Sequence, residues 1–206
     1  MKTSSRNIKS YSLEGLIDLM LSLQQPKFRA DQILQWLYGA GVSSYDEMTN
    51  LPSSLRTYLK EEHPLTCPSI LGKQVSIDGT RKYVLQYPDG ACVETVAIPS
   101  YQKGEEAPDR LTICFSVQAG CPIGCVFCAT GTEGLTRSLY PGEIVDQVLI
   151  ARHDMDCRAN NLVAMGQGEP FLNYENSMAA LRIMNNPKAL SVGARRITIS
   201  TCGIIE

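Results

Sequence analysis

The stretch LTICFSVQAGCPIGCVFC, residues 111–128, decides how the chain is read. Its first seven residues, Leu111 to Val117, form an apolar run with β-branched and aromatic members, which predicts a buried strand leading into a loop. Beyond it the pattern alternates: a helix over about 142–154, a strand at 161–165, a helix over about 174–184 and a strand at 196–201. Strand, helix, strand in succession predicts a parallel sheet with right-handed crossovers, so the expected fold class is α/β. The last strand stops almost at residue 206, and three parallel strands would leave a long edge that α/β domains normally cover or close. The sheet is therefore expected to be unfinished.

Upstream, apolar and polar residues alternate at 70–77, 83–87 and 92–98, with Asp78-Gly79 and Asp89-Gly90 between the runs. Aspartate-glycine flanked by alternating residues predicts hairpins, here a three-strand antiparallel meander. The polar segment 101–109, with Lys103-Gly104-Glu105-Glu106, reads as a loop. Ahead of His63 and Pro64 the period becomes helical. Leu13, Leu16, Ile17, Met20 and Leu21 predict a helix behind the N-cap Ser12, with Pro26 beyond its end. Ala30, Ile33, Leu34 and Leu37 predict a second over about 30–38, stopped by Gly39 and Gly41. Ser44 with Glu47 forms a capping box, and Pro52 opens a third helix carrying Leu55 and Leu59. Two domains follow: a small helical one over 1–64 and an α/β core over 65–206.

Of the 206 residues, 44% are hydrophobic and 19% charged, enough apolar material for a core and too little charge for intrinsic disorder. No apolar run approaches the roughly 20 residues of a membrane span, since Glu14 and Asp18 interrupt the best early stretch. The start, MKTSSRNIKS, lacks the apolar core and cleavage site of a secretory signal, so a soluble protein of the cytoplasm, free of the membrane, is expected. A net charge of −2 gives no global field for a polyanion, and any such site must be local. In the first 30 residues, Lys2, Arg6, Lys9, Lys27 and Arg29 outnumber Glu14 and Asp18. Lys27 and Arg29 with Arg56 and Lys60 would form either a basic face or an ordinary solvated helix surface.

Eight cysteines at uneven spacing suggest metal or redox chemistry rather than a disulfide framework. Cys121, Cys125 and Cys128 follow the pattern C-x3-C-x2-C in the loop that leaves the first parallel strand. Three thiolates on one tight loop can hold three corners of a 4Fe–4S cluster and leave the fourth iron open to a substrate. A structural zinc site would need a fourth ligand, such as Cys114 or Cys157 folding back. Gly120 and Gly124 would let the backbone turn closely, and Phe127 would supply an aromatic wall or merely pack in the core. Met165-Gly-Gln-Gly-Glu-Pro170 ends the second parallel strand, where ligands of open α/β sheets bind. Ser200 and Thr201 end the third strand on the same rim.

The pattern C-x3-C-x-aromatic-C after the first strand of an α/β domain resembles the radical S-adenosylmethionine (SAM) superfamily. Within it, residues 114–131, VAMGQGEP at 163–170 and RITISTCG at 196–203 look like the RlmN family, radical SAM adenine C2 methyltransferases of large-subunit rRNA and of tRNA. PKFRADQILQW at 26–36 and MTNLP at 48–52 match that family's N-terminal helical RNA-binding domain, and VETVAIP at 93–99 its strand before the barrel. The resemblance implies a fold of small helical domain, short antiparallel meander and the first half of a partial (β/α)6 barrel. It implies Cys121, Cys125 and Cys128 as cluster ligands, and Gly168, Glu169 and Ser200 as contacts of SAM. Cys114 would be the thiol that resolves a protein–RNA adduct, reactive through a lowered pKa, and Glu94 a general base near the adenine. Each has a plain alternative, a buried strand thiol and an exposed strand carboxylate.

The resemblance further implies ping-pong chemistry with two SAM molecules, rRNA and tRNA as partners, an electron donor such as flavodoxin, and a monomer. The family's barrel continues past the point where this sequence stops, and its methyl-carrying cysteine lies in that later part. No complete turnover is therefore expected from these residues alone. The competing expectations are a non-catalytic RNA-binding remnant and a structural zinc protein.

Overall fold

The computed structural model describes residues 7–104 and 107–204; Lys2, Arg6, Glu105 and Glu106 lie outside the described residues. Helix α1 spans Leu13–Ser22 and starts where expected, because the Ser12 hydroxyl accepts the Gly15 N–H at 3.1 Å. It buries Leu16 and Met20 but leaves Leu21 exposed. Helix α2, Phe28–Leu34, begins earlier than the apolar period indicates and widens into a π-turn over Gln35–Ala40. In that wide turn the Val42 N–H reaches back to the Trp36 carbonyl at 3.2 Å, and the Gly39 carbonyl accepts Arg152 at 3.4 Å. The capping box at Ser44 and Glu47 closes a single 3-10 turn, and α3 follows over Ser53–Glu62 with Pro52 as its N-cap.

The main sheet has six strands in the order β1-β2-β3-β4-β7-β8. Strands β1 (Ser69–Val75), β2 (Arg81–Gln86), β3 (Cys92–Ser100) and β4 (Arg110–Cys114) pair antiparallel in sequence order. Strands β7 (Ala159–Ala164) and β8 (Ile197–Ile199) then add in parallel to β4. Each parallel step crosses over through a helix, α4 (Pro141–Met155) and then α5 (Tyr174–Asn185). The expected meander and the expected parallel strands are thus one sheet, with β4 belonging to both.

The strand expected over 111–117 stops at Cys114. The apolar run at 111–117 leaves the main sheet after Cys114, and a short strand β5, Gln118–Gly120, pairs antiparallel with β6, Leu135–Ser138. This ribbon carries the cysteine loop. At its neck Gly120 has φ +77°, and a Cβ there would collide with the Gly134 carbonyl, so only glycine closes the ribbon.

One continuous apolar core runs from the N-terminal helices through α4 to the sheet. Lys9 and Asp146 form a buried ion pair across that contact, with side chains 3% and 4% exposed. Lys9 therefore contributes nothing to a basic surface, contrary to the charge count. Among the described residues no helix is long and apolar enough to cross a membrane.

Candidate functional site

The cysteine loop is anchored at the ribbon, where the Cys121 N–H donates to the Gly134 carbonyl at 2.9 Å. The Cys128 N–H then donates to the Cys125 carbonyl at 3.0 Å, folding the second and third cysteines into a tight turn. All three thiols are free and half-buried. Hydrogen bonding from the Thr130 side chain and from the Thr130 and Gly131 backbone draws the Cys128 pKa down. Phe127 does not pack in the core: it is 90% exposed, and Val126 is fully exposed beside it. The C-x-x-C turn directs both side chains outward, because the ribbon gives them nothing to pack against.

Among the described residues no three His, Cys, Asp or Glu side chains are gathered closely enough to hold a metal ion. The donor set nevertheless fits an iron–sulfur cluster in kind: three free thiols within eight residues of one loop, partly open to solvent. Cys157 is no candidate fourth ligand. Its sulfur contacts the Pro108 carbonyl at 3.7 Å, at the end of β4 remote from the loop.

The loop 165–170 after β7 lies alongside 115–118 like a further strand. The Gly166 N–H donates to the Phe115 carbonyl at 3.1 Å, and the Gln167 carbonyl accepts Val117 and Gln118 at 2.8 and 3.2 Å. Gly168 has φ +98°, and a Cβ there would stand 2.5 Å from the Gln118 Cβ, so both the turn and the close approach require glycine. The next residue, Glu169, is only 4% exposed. Its Oε1 accepts the Phe171 N–H at 2.9 Å and the Thr201 hydroxyl at 2.6 Å, while Oε2 accepts the Cys202 N–H at 2.8 Å. Burial alone would raise the Glu169 pKa, but these donors outweigh it and hold the carboxyl below its ordinary value. Glu169 is thus a fixed anion, with the Cys202 thiol as a further hydrogen-bond partner.

Ser200 is exposed on the same rim, its N–H extending the ladder to the Ala164 carbonyl at 3.3 Å. The neighbouring Cys202 thiol is raised, first by its hydrogen bond to Glu169 and also by the charge of Cys125. Glu169 and the segment after β8 share one rim, and the cysteine ribbon joins it at Gly120, whose N–H donates to the Gln167 side-chain oxygen at 3.5 Å.

Cys114 sits in the sheet opposite Val96 and Val163, at the end of β4 nearest this rim. Burial pushes its thiol up, offset only in part by the Met165 N–H, so the lowered pKa expected for it is not found. Glu94 lies on β3, half-exposed and paired with Lys82 at 2.9 Å. It lines a cavity of about 530 Å3 together with Cys92, Gly120, Thr130 and Gln167, which brings it to the flank of the cysteine loop. A separate cavity of about 440 Å3 at the C-terminal end of α4 is lined by Cys157 but by none of the expected cluster, SAM or catalytic residues.

The sequence reading missed two buried polar residues that hold these parts together, Ser116 and Gln147. The signal was present: Gln147 falls among Ile144, Val145 and Val148, where a helix facing a sheet ordinarily carries apolar side chains.

Comparison with known proteins adds family and structural likeness. Residues 6–64 match the family model for the ribosomal RNA large subunit methyltransferase N-terminal domain, and residues 115–206 match the radical SAM superfamily. A probable dual-specificity RNA methyltransferase RlmN of Thermotoga neapolitana is 44% identical over 202 residues, covering 98% of this chain and 57% of that protein. The dual-specificity RNA methyltransferase RlmN of Nitratidesulfovibrio vulgaris is 48% identical over 208 residues, covering 98% and 56% respectively. The crystal structure of a radical SAM methyltransferase from Sphaerobacter thermophilus superposes with a TM-score of 0.82 at 40% identity, covering 97% of this chain and 57% of that one. The chain spans somewhat over half the length of the curated relatives it matches.

Proposed function

Because the chain belongs to the RlmN family of radical SAM proteins, we propose that it carries the cofactor-binding part of an RNA methyltransferase acting on adenine C2. Its substrates are large-subunit rRNA and tRNA, and it works as a monomer in the cytoplasm with an external electron donor such as flavodoxin. Residues 1–64 form the RNA-guiding domain and 65–206 the catalytic one. The observation that carries this reading is the rim shared by Glu169 and the segment after β8, which the cysteine ribbon joins at Gly120.

Cys121, Cys125 and Cys128 hold the 4Fe–4S cluster. Bound together, the cluster and SAM supply one-electron chemistry that can form a carbon–carbon bond at an adenine carbon closed to polar methylation. The Glu169 carboxylate, presented beyond the tight Gly168 turn, takes the ammonium of the cofactor's methionyl group in place of the Cys202 thiol. Ser200 adds a hydroxyl on the same rim. Glu94 is the proton acceptor on the cavity wall beside the adenine, and Cys114 is the resolving thiol. Since burial keeps Cys114 protonated, its sulfur becomes nucleophilic only when a base takes the proton.

For the RNA, the exposed Lys27 adjoins the Phe28 ring, which is 53% exposed and carries the Arg29 guanidinium 4.9 Å from its centroid. An aromatic face beside Lys27 suits an unstacked base and its phosphate, with Arg29 held in place by the Gln32 side chain at 2.7 Å and the Asn50 carbonyl at 2.8 Å. Lys60 and Arg56 are less available, since Lys60 pairs with the Asp46 carboxylate at 3.2 Å and Arg56 donates to its carbonyl at 3.0 Å.

The test is the iron, sulfide and zinc content of chain reconstituted without oxygen, with Cys125→Ala as control and SAM binding measured by equilibrium dialysis. About four irons and four sulfides per chain, lost in the control, with SAM retained only by the loaded protein, is the expected result. One zinc without iron, or a loaded protein that does not retain SAM, overturns the proposal.

A further inference from the structure

Ser116 and Gln147 are both fully buried, and every polar atom they own is used. Gln147 Oε1 accepts the Ser116 N–H at 2.8 Å and the Thr95 hydroxyl at 2.8 Å, while Nε2 donates to the Ser116 carbonyl at 2.8 Å. The Ser116 hydroxyl donates to the Glu94 carbonyl at 2.7 Å and accepts the Gln167 N–H at 2.9 Å. Gly166 makes the approach possible, because a Cβ there would stand 2.6 Å from the Ser116 hydroxyl oxygen. This chain of hydrogen bonds begins on α4 and ends on three segments: β3 at Glu94, the stretch between Cys114 and the cysteine ribbon, and the loop ahead of Glu169.

An ordinary buried polar pair satisfies its own atoms and touches whatever lies nearby. Here the side-chain bonds run to the backbones of Glu94, Ser116 and Gln167, and each of these lies on a segment bearing a proposed site residue. Backbone hydrogen bonds pair 115–118 with 163–167, and the Ser116 and Gln147 side chains add the link from these two segments to β3 at Glu94 and to α4. Inside a dry core each bond reinforces the next, and removing one leaves groups with no alternative partner. We infer that Ser116 and Gln147 are positioning residues that fix the Glu94 strand, the cysteine ribbon and the Glu169 loop in one register, so that the cofactor pocket is formed before its ligand arrives. The inference rests on the proposed function for what is being positioned, and on the hydrogen-bond geometry alone for the positioning.

The test compares the full chain with Ser116→Ala and Gln147→Met by amide hydrogen exchange without ligand, then measures SAM affinity and the change SAM makes in the EPR spectrum of the reduced cluster. In both variants the amides at 117–120 and 166–169, and those around Glu94, are expected to exchange about tenfold faster, with α1 and α5 unchanged. SAM is expected to bind about tenfold more weakly, with a broadened EPR response. Faster exchange spread evenly over the chain would reduce the pair to core packing and overturn the inference. Local loosening with unaltered SAM affinity and EPR response would overturn it as well. If the loaded parent chain bound no SAM, the proposed function would fall, while the exchange pattern would still decide whether the pair holds the three segments. Should Ser116→Ala not fold, Gln147→Met reads the same segments.

Discussion

Glu169 and Thr201 are joined by a 2.6 Å hydrogen bond between the end of the loop after β7 and the segment after β8. The same carboxylate accepts from the backbones of Phe171 and Cys202, so one anion fastens two successive strand ends. Glu169→Gln places an amide nitrogen where an acceptor is needed and is expected to cost about 1–3 kcal/mol. A lower midpoint in urea, with faster amide exchange at Cys202, checks it. Because the folded carboxyl titrates below its ordinary value, this contribution is complete above the unfolded carboxylate pKa and is lost as the pH falls through the folded one.

The buried Lys9–Asp146 pair gives a second prediction. Burial alone would lower the Lys9 pKa, but the adjacent Asp146 carboxylate outweighs it, and the ammonium stays charged. Lys9→Met strands a buried carboxylate and is expected to cost about 3–5 kcal/mol, whereas Lys9→Met with Asp146→Leu recovers most of the loss. A double-mutant cycle by chemical denaturation measures both.

Acid stability should respond to Asp154, which accepts from Lys73, Arg81 and Tyr83. Partial burial opposes ionisation, yet these donors hold its pKa down to about 2. A depressed carboxylate contributes fully above its unfolded pKa near 3.8 and loses that contribution as the pH falls toward about 2. Asp154→Asn should flatten the acid limb of the stability profile by about 1 kcal/mol, solvent screening being taken into account. Thermal melts between neutral pH and the acid limb give the comparison.

Gly168→Ala should be more costly than an ordinary surface change. The substitution combines left-handed backbone with a Cβ 2.5 Å from the Gln118 Cβ, and about 2 kcal/mol or more is expected. The melting temperature should fall, and iron incorporation should survive if the cysteine ribbon is undisturbed.

Local signals were legible in sequence wherever one residue decides one conformation. Ser12 capped α1, the two aspartate-glycine turns closed the meander, and the helical periods at 142–154 and 174–184 gave α4 and α5. The cysteine spacing and the glycine-rich loop marked the site because their chemistry is compact in the chain. What escaped was set by partners distant in sequence. The break after Cys114 follows from hydrogen bonds of 117–118 to Gln167, which no local pattern encodes. The burial of Lys9 depends on Asp146 on α4, so a count of charges along the chain misplaces it. The exposure of Phe127 follows from the ribbon's projection beyond the core, although an aromatic residue between two cysteines reads as packing.

The strand order also sets a sequence of assembly. Strands β1 to β4 pair with their neighbours in the chain and close only short loops, whereas β7 and β8 must each wait for a helical crossover. Short closures lose little chain entropy and form early; long ones form late. During folding, β4 is therefore the free margin of a completed meander, ready to receive β7. The cysteine ribbon springs from the far end of that margin, and its base is tied down only when the loop ahead of Glu169 pairs with 117–118. A metal encountered before that moment meets a donor loop not yet anchored, and one encountered afterwards meets a loop held at its base.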